Sequence, residues 1–296
     1  MNKKIKITSL FVLGLTNNCA LFASHFLSFV MPCYNCDQTV RDSIESIYQQ
    51  NLTIPFEVIC TDDGSTDDTI KILHEYELKY SNFHVIVHEN NQGGGAANNT
   101  CVAHSQGDLL FRLDSDNILA ADSIPPLITL LDSSGCDGAA FQEIRFFIKD
   151  ISNQKIHKNS CFYKIENNIA DLKHALTGQA NPLASGNYLY SRASFDKAGG
   201  YPTAHGSDTH CFGLKQYMTG AKIAILPNTF YWHFFNEHGY FCREERTGNN
   251  RKAVWATLKK YANIFNQKTR SYLEKVDITQ VDPWSAMENG ELQLKE

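Results

Sequence analysis

Residues 109–117 read Leu109-Leu110-Phe111-Arg112-Leu113-Asp114-Ser115-Asp116-Asn117, a short apolar run that ends in two carboxylates. In a β-strand the side chains at i and i+2 point to the same side, so Asp114 and Asp116 can face one cation. Carboxylate oxygens are the ligands that hard divalent cations prefer. Taken alone, the pattern is also typical of a polar turn, because Asp, Asn and Ser hydrogen-bond their own backbone. The metal interpretation therefore depends on which other segments accompany it.

Three earlier apolar runs alternate with segments of helical period. We predict strands over residues 26–31, 56–60 and 83–87, and helices over residues 40–50 and 69–80. A third helix is expected to begin at the triple glycine 93–95 and to run through residue 103. Alternation of strands and helices predicts parallel pairing, with ligands collected at the carboxyl ends of the strands.

Five spaced motifs carry a resemblance to a known family. They are Met31-Pro32-Cys33-Tyr34-Asn35, Thr61-Asp62-Asp63-Gly64-Ser65-Thr66-Asp67, Asn91-Gln92-Gly93 through Asn99, Leu113-Asp114-Ser115-Asp116, and Gly186-Asn187 through Gly199-Gly200-Tyr201 to Asp208. In this order the motifs resemble glycosyltransferase family 2, the nucleotide-sugar-dependent enzymes with the GT-A fold. The resemblance implies an α/β fold with a mixed, mostly parallel, Rossmann-like sheet flanked by helices, and a C-terminal helical tail.

Length and composition are compatible with one core and one appendage. The chain has 296 residues, 43% of them hydrophobic, with a formal net charge of −5 and a pI of about 6.1. No basic footprint for nucleic acid is present in this composition. We predict a signal peptide or hydrophobic leader over residues 1–23, a catalytic domain over 24–236, and a helical extension over 237–296.

The amino terminus has the layout of a secretory signal peptide. Lysines precede an apolar stretch at residues 7–15, and Ala23 offers a small residue for cleavage before Ser24. That stretch is shorter than the roughly 20 residues of a transmembrane helix. The pattern predicts an exported or secretory-pathway protein. The alternative is a cytoplasmic or membrane-associated protein whose leader packs on the first strand, which suits the cytosolic supply of nucleotide sugars. Nine scattered cysteines do not decide between these compartments.

The resemblance implies a donor site built from several motif residues. Tyr34 stacks beside the nucleotide base, and Asp63 accepts a hydrogen bond from a base N–H. The remaining nucleotide-sugar contacts are Pro32, Asn35, Gly93, Asn99, Asp114 and Ser115. The alternative for Asp63 is to cap the following helix, a role that we assign to Asp67. Many family members carry a basic residue just before the position of Asn99, where this chain has Asn98.

The resemblance also implies a bound Mn²⁺ or Mg²⁺. Asp116 binds the cation, and Asp114 lies nearer the ribose or the water shell of the metal. His233, within Tyr231-Trp232-His233, is a candidate third ligand. The alternative for His233 is a structural role, because a single histidine beside aromatic residues is more often a satisfied core residue.

Asp208 is the candidate catalytic base. In inverting members of the family, an Asp of a Glu-Asp pair after the Gly-Gly-aromatic turn deprotonates the acceptor. Here Gly199-Gly200-Tyr201 is followed by Asp208, and Ser207 replaces the usual Glu. The alternative for Asp208 is the N-cap of the helix that it opens, and His205 or His210 would then be the next candidates for the base.

The function that these residues imply is a metal-dependent, inverting glycosyltransferase of the hexosyl- or N-acetylhexosaminyl-transferase type. It would move a sugar from a UDP- or GDP-sugar to a glycan, lipid or protein acceptor. The alternative is a catalytically silent, exported glycan-binding module on the same fold. A related nucleotidyltransferase would need a Gly-rich, Lys- or Arg-bearing loop after the first strand, which this chain lacks. A basic amphipathic stretch at residues 252–261 is expected to cover the core, or to make peripheral membrane contact.

Overall fold

The computed structural model describes residues 25–150, 155–177, 186–204, 206–237 and 239–295. The predicted leader and His205 lie outside these residues. The strands are β1 (Leu27–Cys33), β2 (Phe56–Asp62), β3 (Phe83–Val87), β4 (Leu109–Arg112), β5 (Ile118–Leu119), β6 (Gly138–Asp150), β7 (Lys155–Lys164), β8 (Ile169–Ala170), β9 (Leu189–Ser191) and β10 (Ile223–Phe234).

The helices lie between these strands and after them. They are α1 (Val40–Tyr48), α2 (Thr69–Lys79), α3 (Gly94–His104), α4 (Ile124–Ser134), α5 (Leu172–Leu176), α6 (Arg192–Ala198), α7 (Asp208–Met218), α8 (Tyr240–Arg246), α9 (Asn249–Lys260), α10 (Gln267–Lys275) and α11 (Pro283–Glu288). A single 3-10 turn, Ala262–Ile264, joins α9 to α10.

The strands form one sheet in the order β3-β2-β1-β4-β9-β6-β10-β5, with β7 paired to β6 and β8 paired to β10. Strands β1 to β4 pair in parallel, as do β6 and β10. Strand β9 runs antiparallel to both of its neighbours, β4 and β6. The prediction of a mixed, mostly parallel sheet flanked by helices is therefore confirmed.

Both faces of the sheet are buried, because alternate residues of each strand enter different hydrophobic clusters. On β1, Phe29 and Met31 pack with α1, α2 and α4, whereas Val30 packs on the opposite face. This second cluster joins α3, α7 and the helices after β10. Burial on both faces explains why the parallel strands read as continuous apolar runs and do not alternate.

The segment that follows β10 packs onto the second cluster. Trp255, Phe265, Leu273 and Met287 are buried beside Phe212 of α7. The predicted boundary after residue 236 falls two residues beyond the end of β10. The extension therefore shares its core with the preceding elements. None of the helices in the described part of the chain is long and apolar enough to span a membrane.

The parallel strands bring the predicted motifs to one edge of the sheet. Strands β1, β2 and β4 end at Cys33, Asp62 and Arg112, and the polar motif residues follow directly. The first turns of α3 and α7 approach the same edge. A Cβ at Gly94 would lie 2.8 Å from Asp208 Oδ2, so the carboxylate packs directly on the first residue of α3.

Candidate active site

Arg112, the last residue of β4, lies at the centre of this edge. Its buried guanidinium pairs with Asp114 through both terminal nitrogens, with 3.0 Å between Nη1 and Oδ2. Burial alone would lower the pKa of Arg112, but the charge of Asp114 keeps that pKa raised. Arg112 is not among the residues that the motifs predict. A charge inside an apolar run was the available signal, because charges are seldom buried without a partner.

Asn98, which replaces the basic residue of many family members, contacts the same guanidinium. It is fully buried on α3, and its Oδ1 accepts a hydrogen bond of 3.1 Å from Arg112 Nε. Its Nδ2 donates to the Gly94 carbonyl at 2.9 Å. Residue 98 is not basic in this chain, but a positive charge is still present at this edge of the sheet. It is supplied by Arg112 of β4, which contacts Asn98.

Asp114 forms hydrogen bonds through both its carboxylate and its backbone N–H. Besides Arg112, its Oδ2 accepts hydrogen bonds from Asn187 Nδ2 at 2.9 Å and from Asn117 Nδ2 at 3.1 Å. Its backbone N–H donates to Asn187 Oδ1 at 2.9 Å. A Cβ at Gly186 would lie 2.6 Å from Arg112 Nη1, so a glycine there lets the chain pass the guanidinium. The Gly186-Asn187 motif therefore stabilises the loop that follows β4.

Asp116 has a different environment from that of Asp114. It is partly exposed, and desolvation together with the Asp114 carboxylate raises its pKa to about 7, which Arg112 offsets only in part. His233 lies near the end of β10, with its ring edge-to-face against Phe146 at 5.5 Å. Burial lowers the pKa of His233, so the imidazole is neutral. The Phe234 N–H donates to Asn117 Oδ1 at 3.0 Å and ties β10 to the Asp114–Asn117 loop.

These side chains fit a divalent cation as an open site. Mg²⁺ usually binds one or two carboxylates together with substrate phosphates, without a closed protein cage. Asp116 is a carboxyl group whose ionised form would gain from a cation, and His233 Nδ1 is buried without a hydrogen-bond partner. Across the described ranges, no three His, Cys, Asp or Glu side chains are assembled as a metal site. Ligation by Asp114, Asp116 and His233 therefore stays a prediction.

Asp63 is fixed by the loop before α3. Its Oδ1 lies 2.7 Å from His88 Nδ1 and accepts the Gln92 N–H at 2.9 Å, and its Oδ2 accepts the Gly93 N–H at 2.8 Å. The amino end of α2 is served instead by Asp67, whose Oδ1 accepts the Thr69 N–H at 3.0 Å. Asp68 occupies the N-cap position of α2 without a side-chain capping bond, so Asp67 contributes at the first helical residue, and its assigned capping role stays a prediction. Base recognition by Asp63 stays a prediction.

The other residues predicted to bind the nucleotide sugar differ in their exposure and in their contacts. Tyr34 is 47% exposed, which leaves room for a base beside its ring. Asn35 has a φ of 48° and accepts the Thr66 N–H at 2.8 Å, so it shapes the loop that carries Tyr34. Pro32 lies on β1 beyond Val30, the last β1 residue paired with β4. Ser115 contacts the Cys36 thiol.

The side-chain amide of Asn99 makes two hydrogen bonds with the backbone of Tyr201. Its Nδ2 donates to the Tyr201 carbonyl at 2.9 Å, and its Oδ1 accepts the Tyr201 N–H at 2.8 Å. These two bonds link α3 to the Gly199-Gly200-Tyr201 turn. They give Asn99 a structural role, and its predicted contact with the nucleotide sugar is not tested by the geometry.

Asp208 is the first residue of α7, and Ser207 occupies the cap position. Asp208 is 9% exposed. Burial raises its pKa, the charge of Arg112 opposes that rise, and Asp114 adds to it. A buried carboxylate with a raised pKa beside a glycine-rich helix start can accept a proton from a bound hydroxyl. His210 instead packs against Trp284 at 5.5 Å, and burial lowers the pKa of His210 to about 4.

Comparison with known proteins places the chain in a family. Residues 28–199 match the family model described as glycosyl transferase family 2. The poly(ribitol-phosphate) beta-N-acetylglucosaminyltransferase TarS of Staphylococcus aureus is 22% identical over 221 residues, which cover 72% of this chain and 36% of TarS. A poly(ribitol-phosphate) beta-glucosyltransferase of Bacillus spizizenii is 34% identical over 102 residues, which cover 33% of this chain and 16% of the relative.

Two solved structures share the architecture. S. aureus TarS 1-349 in complex with UDP-GlcNAc gives a TM-score of 0.61 at 17% identity, covering 89% of this chain and 90% of the other. The mannosyltransferase PcManGT from Pyrobaculum calidifontis, in complex with GDP-Man and Mn²⁺, gives 0.60 at 17% identity, covering 91% and 74%. The shared fold is that of the GT-A glycosyltransferases.

The chain belongs to glycosyl transferase family 2, because the family model covers more than half of its length. The chain spans only a minor part of the two curated relatives, 36% and 16% of their lengths.

Proposed function

We propose that the chain is a metal-dependent, inverting glycosyltransferase that moves a hexosyl or N-acetylhexosaminyl group from a UDP- or GDP-sugar to a glycan, lipid or protein acceptor. One observation carries the proposal. A buried cation at Arg112, a carboxyl group at Asp116 that resists ionisation, and a buried carboxylate at Asp208 converge where β4, α3 and α7 meet. The donor class is supported by the UDP-GlcNAc and GDP-Man that the two related structures hold.

The donor side of the site has groups for each part of a nucleotide sugar. The exposed Tyr34 ring would stack on the base, and the fixed Asp63 carboxylate would accept a base N–H. Asp116 and His233 are the residues that would hold Mn²⁺ or Mg²⁺. A bound cation there would offset the charge that develops on the leaving diphosphate.

Asp208 would take the proton in the transfer step. The acceptor oxygen forms a bond to the anomeric carbon while the bond from that carbon to the diphosphate oxygen breaks, on the opposite face of the sugar. The hydroxyl proton passes to Asp208 as the new bond forms. The raised pKa of Asp208 makes this carboxylate a better proton acceptor than an exposed aspartate.

Nucleotide release from a panel of UDP- and GDP-sugars, with Mn²⁺ and with saccharide acceptors, tests this function. We expect release of UDP or GDP from at least one donor, and loss of that release when EDTA replaces Mn²⁺. Glycan binding without nucleotide release from any donor would contradict the proposed transferase activity. That result would support the catalytically silent binding module.

A further inference from the structure

The loop that precedes Asp208 has an unusual backbone conformation. Gly206 has a φ of 94°, and Ser207 has a φ of 38° and a ψ of 40°, in the left-handed region. For a residue with a side chain this region is disfavoured, because Cβ comes close to the following carbonyl oxygen. The Ser207 side chain makes no capping hydrogen bond to α7. The conformation therefore has to be held by other parts of the chain.

The C-terminal extension provides the holding contacts. The Ser207 N–H donates to Asn250 Oδ1 at 2.9 Å, and the Gly206 N–H donates to the Tyr240 hydroxyl oxygen at 2.9 Å. Asn250 is 3% exposed and lies in the first turn of α9, and Tyr240 is the first residue of α8. A Cβ at Gly206 would lie 2.6 Å from the Asn249 carbonyl carbon, so the backbone of α9 packs directly against this loop.

The side chains at the corner between α8 and α9 make further contacts with one another. Asn250 Nδ2 donates to Glu245 Oε2 at 3.1 Å, and Asn249 Nδ2 donates to Glu244 Oε2 at 2.7 Å. The Arg243 guanidinium lies 5.4 Å from the centre of the Tyr240 ring. The bond to Glu245 orients the Asn250 amide, so that its Oδ1 can accept the Ser207 N–H. The bonds to Gly206 and Ser207 thus join the extension to the start of α7.

We propose that Asn250 and Tyr240 are positioning residues, which hold residues 206–207 in the left-handed conformation and thereby aim the Asp208 carboxylate at the amino end of α3. The inference rests on the proposed function, in which Asp208 takes the acceptor proton. Without the bond to Asn250, Ser207 is free to leave the left-handed region, and the first turn of α7 rotates with it. The contact between Asp208 Oδ2 and Gly94 would then be lost.

Asn250→Ala tests the inference through the split between transfer rate and donor affinity. We expect kcat to fall about tenfold, since a catalytic group displaced by about 1 Å can cost more than that, while donor affinity stays within about twofold. Tyr240→Phe removes a single oxygen and should lower kcat by a smaller factor. The matched control is Asn266→Ala, because Asn266 accepts the Thr269 N–H at 2.9 Å in the same extension but lies at α10. Its kcat should equal that of the parent.

Adding Ser207→Gly to Asn250→Ala should restore most of the lost kcat, because glycine adopts a positive φ without a steric penalty. Amide hydrogen exchange of the peptide that spans residues 206–208 gives a readout without activity, and exchange should be faster in Asn250→Ala than in Asn266→Ala. Parental exchange and parental kcat in Asn250→Ala would overturn the inference. If the parent releases nucleotide from no donor, the proposed function fails, and the exchange result alone decides whether Asn250 holds the loop.

Discussion

Asp114 and Asp116 are identical side chains two residues apart, but their surroundings separate their roles. Asp114 accepts hydrogen bonds from Arg112, Asn117 and Asn187, so its charge is compensated by the protein itself. Asp116 faces the Asp114 carboxylate, and its pKa is raised to about 7. A cation would stabilise the ionised form of Asp116 far more than that of Asp114. We therefore expect Asp116 to carry the metal contact and Asp114 to fix the loop.

Asp116→Ala should weaken metal-dependent nucleotide binding. We expect the affinity for UDP or GDP in the presence of Mn²⁺ to fall by about 10²-fold, because loss of even an outer partner of a metal ligand costs 10- to 100-fold. Titration calorimetry in Mn²⁺ and in EDTA measures the nucleotide affinity with and without the metal. The matched control is Asp67→Ala, which removes the carboxylate that accepts the Thr69 N–H at the start of α2 and should leave the affinity within about twofold of the parent. Equal binding by the parent in Mn²⁺ and in EDTA would rule out the metal site.

The motif residues were predictable one by one, whereas their partners were not. Asp63, Asp116 and Asp208 follow strand ends or open a helix, and these positions can be recognised in the sequence. Arg112 pairs with Asn98 and Asp114, which requires knowing that α3 lies beside the end of β4. Contacts of this kind depend on packing between elements that are distant along the chain.

Element positions followed from the apolar pattern where strands and helices alternate. The third predicted strand, residues 83–87, coincides with β3, and the other early elements shift by at most a few residues at their ends. Strand β10 runs from Ile223 to Phe234. The register shifts between Leu226 and Phe230, which accommodates Pro227 within the strand. The long antiparallel pair of β6 and β7 was not predicted, because no Asn-Gly or Asp-Gly pair lies between these strands in the sequence.

At the opposite end of β1, His25 joins three elements. Its Nδ1 lies 2.5 Å from Asp108 Oδ2 before β4, and its Nε2 lies 2.8 Å from Asp132 Oδ1 in α4. Burial alone would lower the pKa of His25, but the hydrogen bonds and charges of the two aspartates raise it above 6.5. A raised folded-state pKa means that the stabilisation is complete below the unfolded-state pKa. It is lost as the pH rises through the folded-state pKa.

His25→Gln should therefore destabilise the protein more in acid than in base. We expect a loss of about 1 kcal/mol in the free energy of unfolding at about pH 5.5, and a smaller loss at about pH 8.5. Denaturant titration at the two pH values measures the difference. His74→Gln is the control, because His74 pairs with Glu77 on α2 with 50% of its side chain exposed, and it should change little. If His25→Gln lowers the free energy of unfolding equally at both pH values, the charge of His25 does not contribute to stability as predicted.

On the scale of the whole molecule, the C-terminal extension belongs to the core. Trp255 is fully buried, and its indole N–H donates to the Val281 carbonyl at 2.9 Å. Trp255→Ala should lower the free energy of unfolding by about 3–5 kcal/mol, because it removes a large buried side chain and leaves a cavity. Chemical denaturation measures this loss. Leu78→Ala is the control, since Leu78 is 90% exposed and its loss should stay within about 0.5 kcal/mol. Equal effects of the two substitutions would contradict the placement of Trp255 in the buried core.

We infer that the edge formed by β4, α3 and α7 transfers a sugar, with Asp208 as the base. The most direct measurement is the transfer rate of Asp208→Asn at saturating donor, taken together with its donor affinity. Asparagine keeps the size of the side chain but cannot take a proton from the acceptor. We predict a fall in transfer of about 10²-fold or more with donor affinity within about twofold of the parent. Transfer at the parental rate would contradict the claim and leave Asp208 as no more than the first residue of a helix.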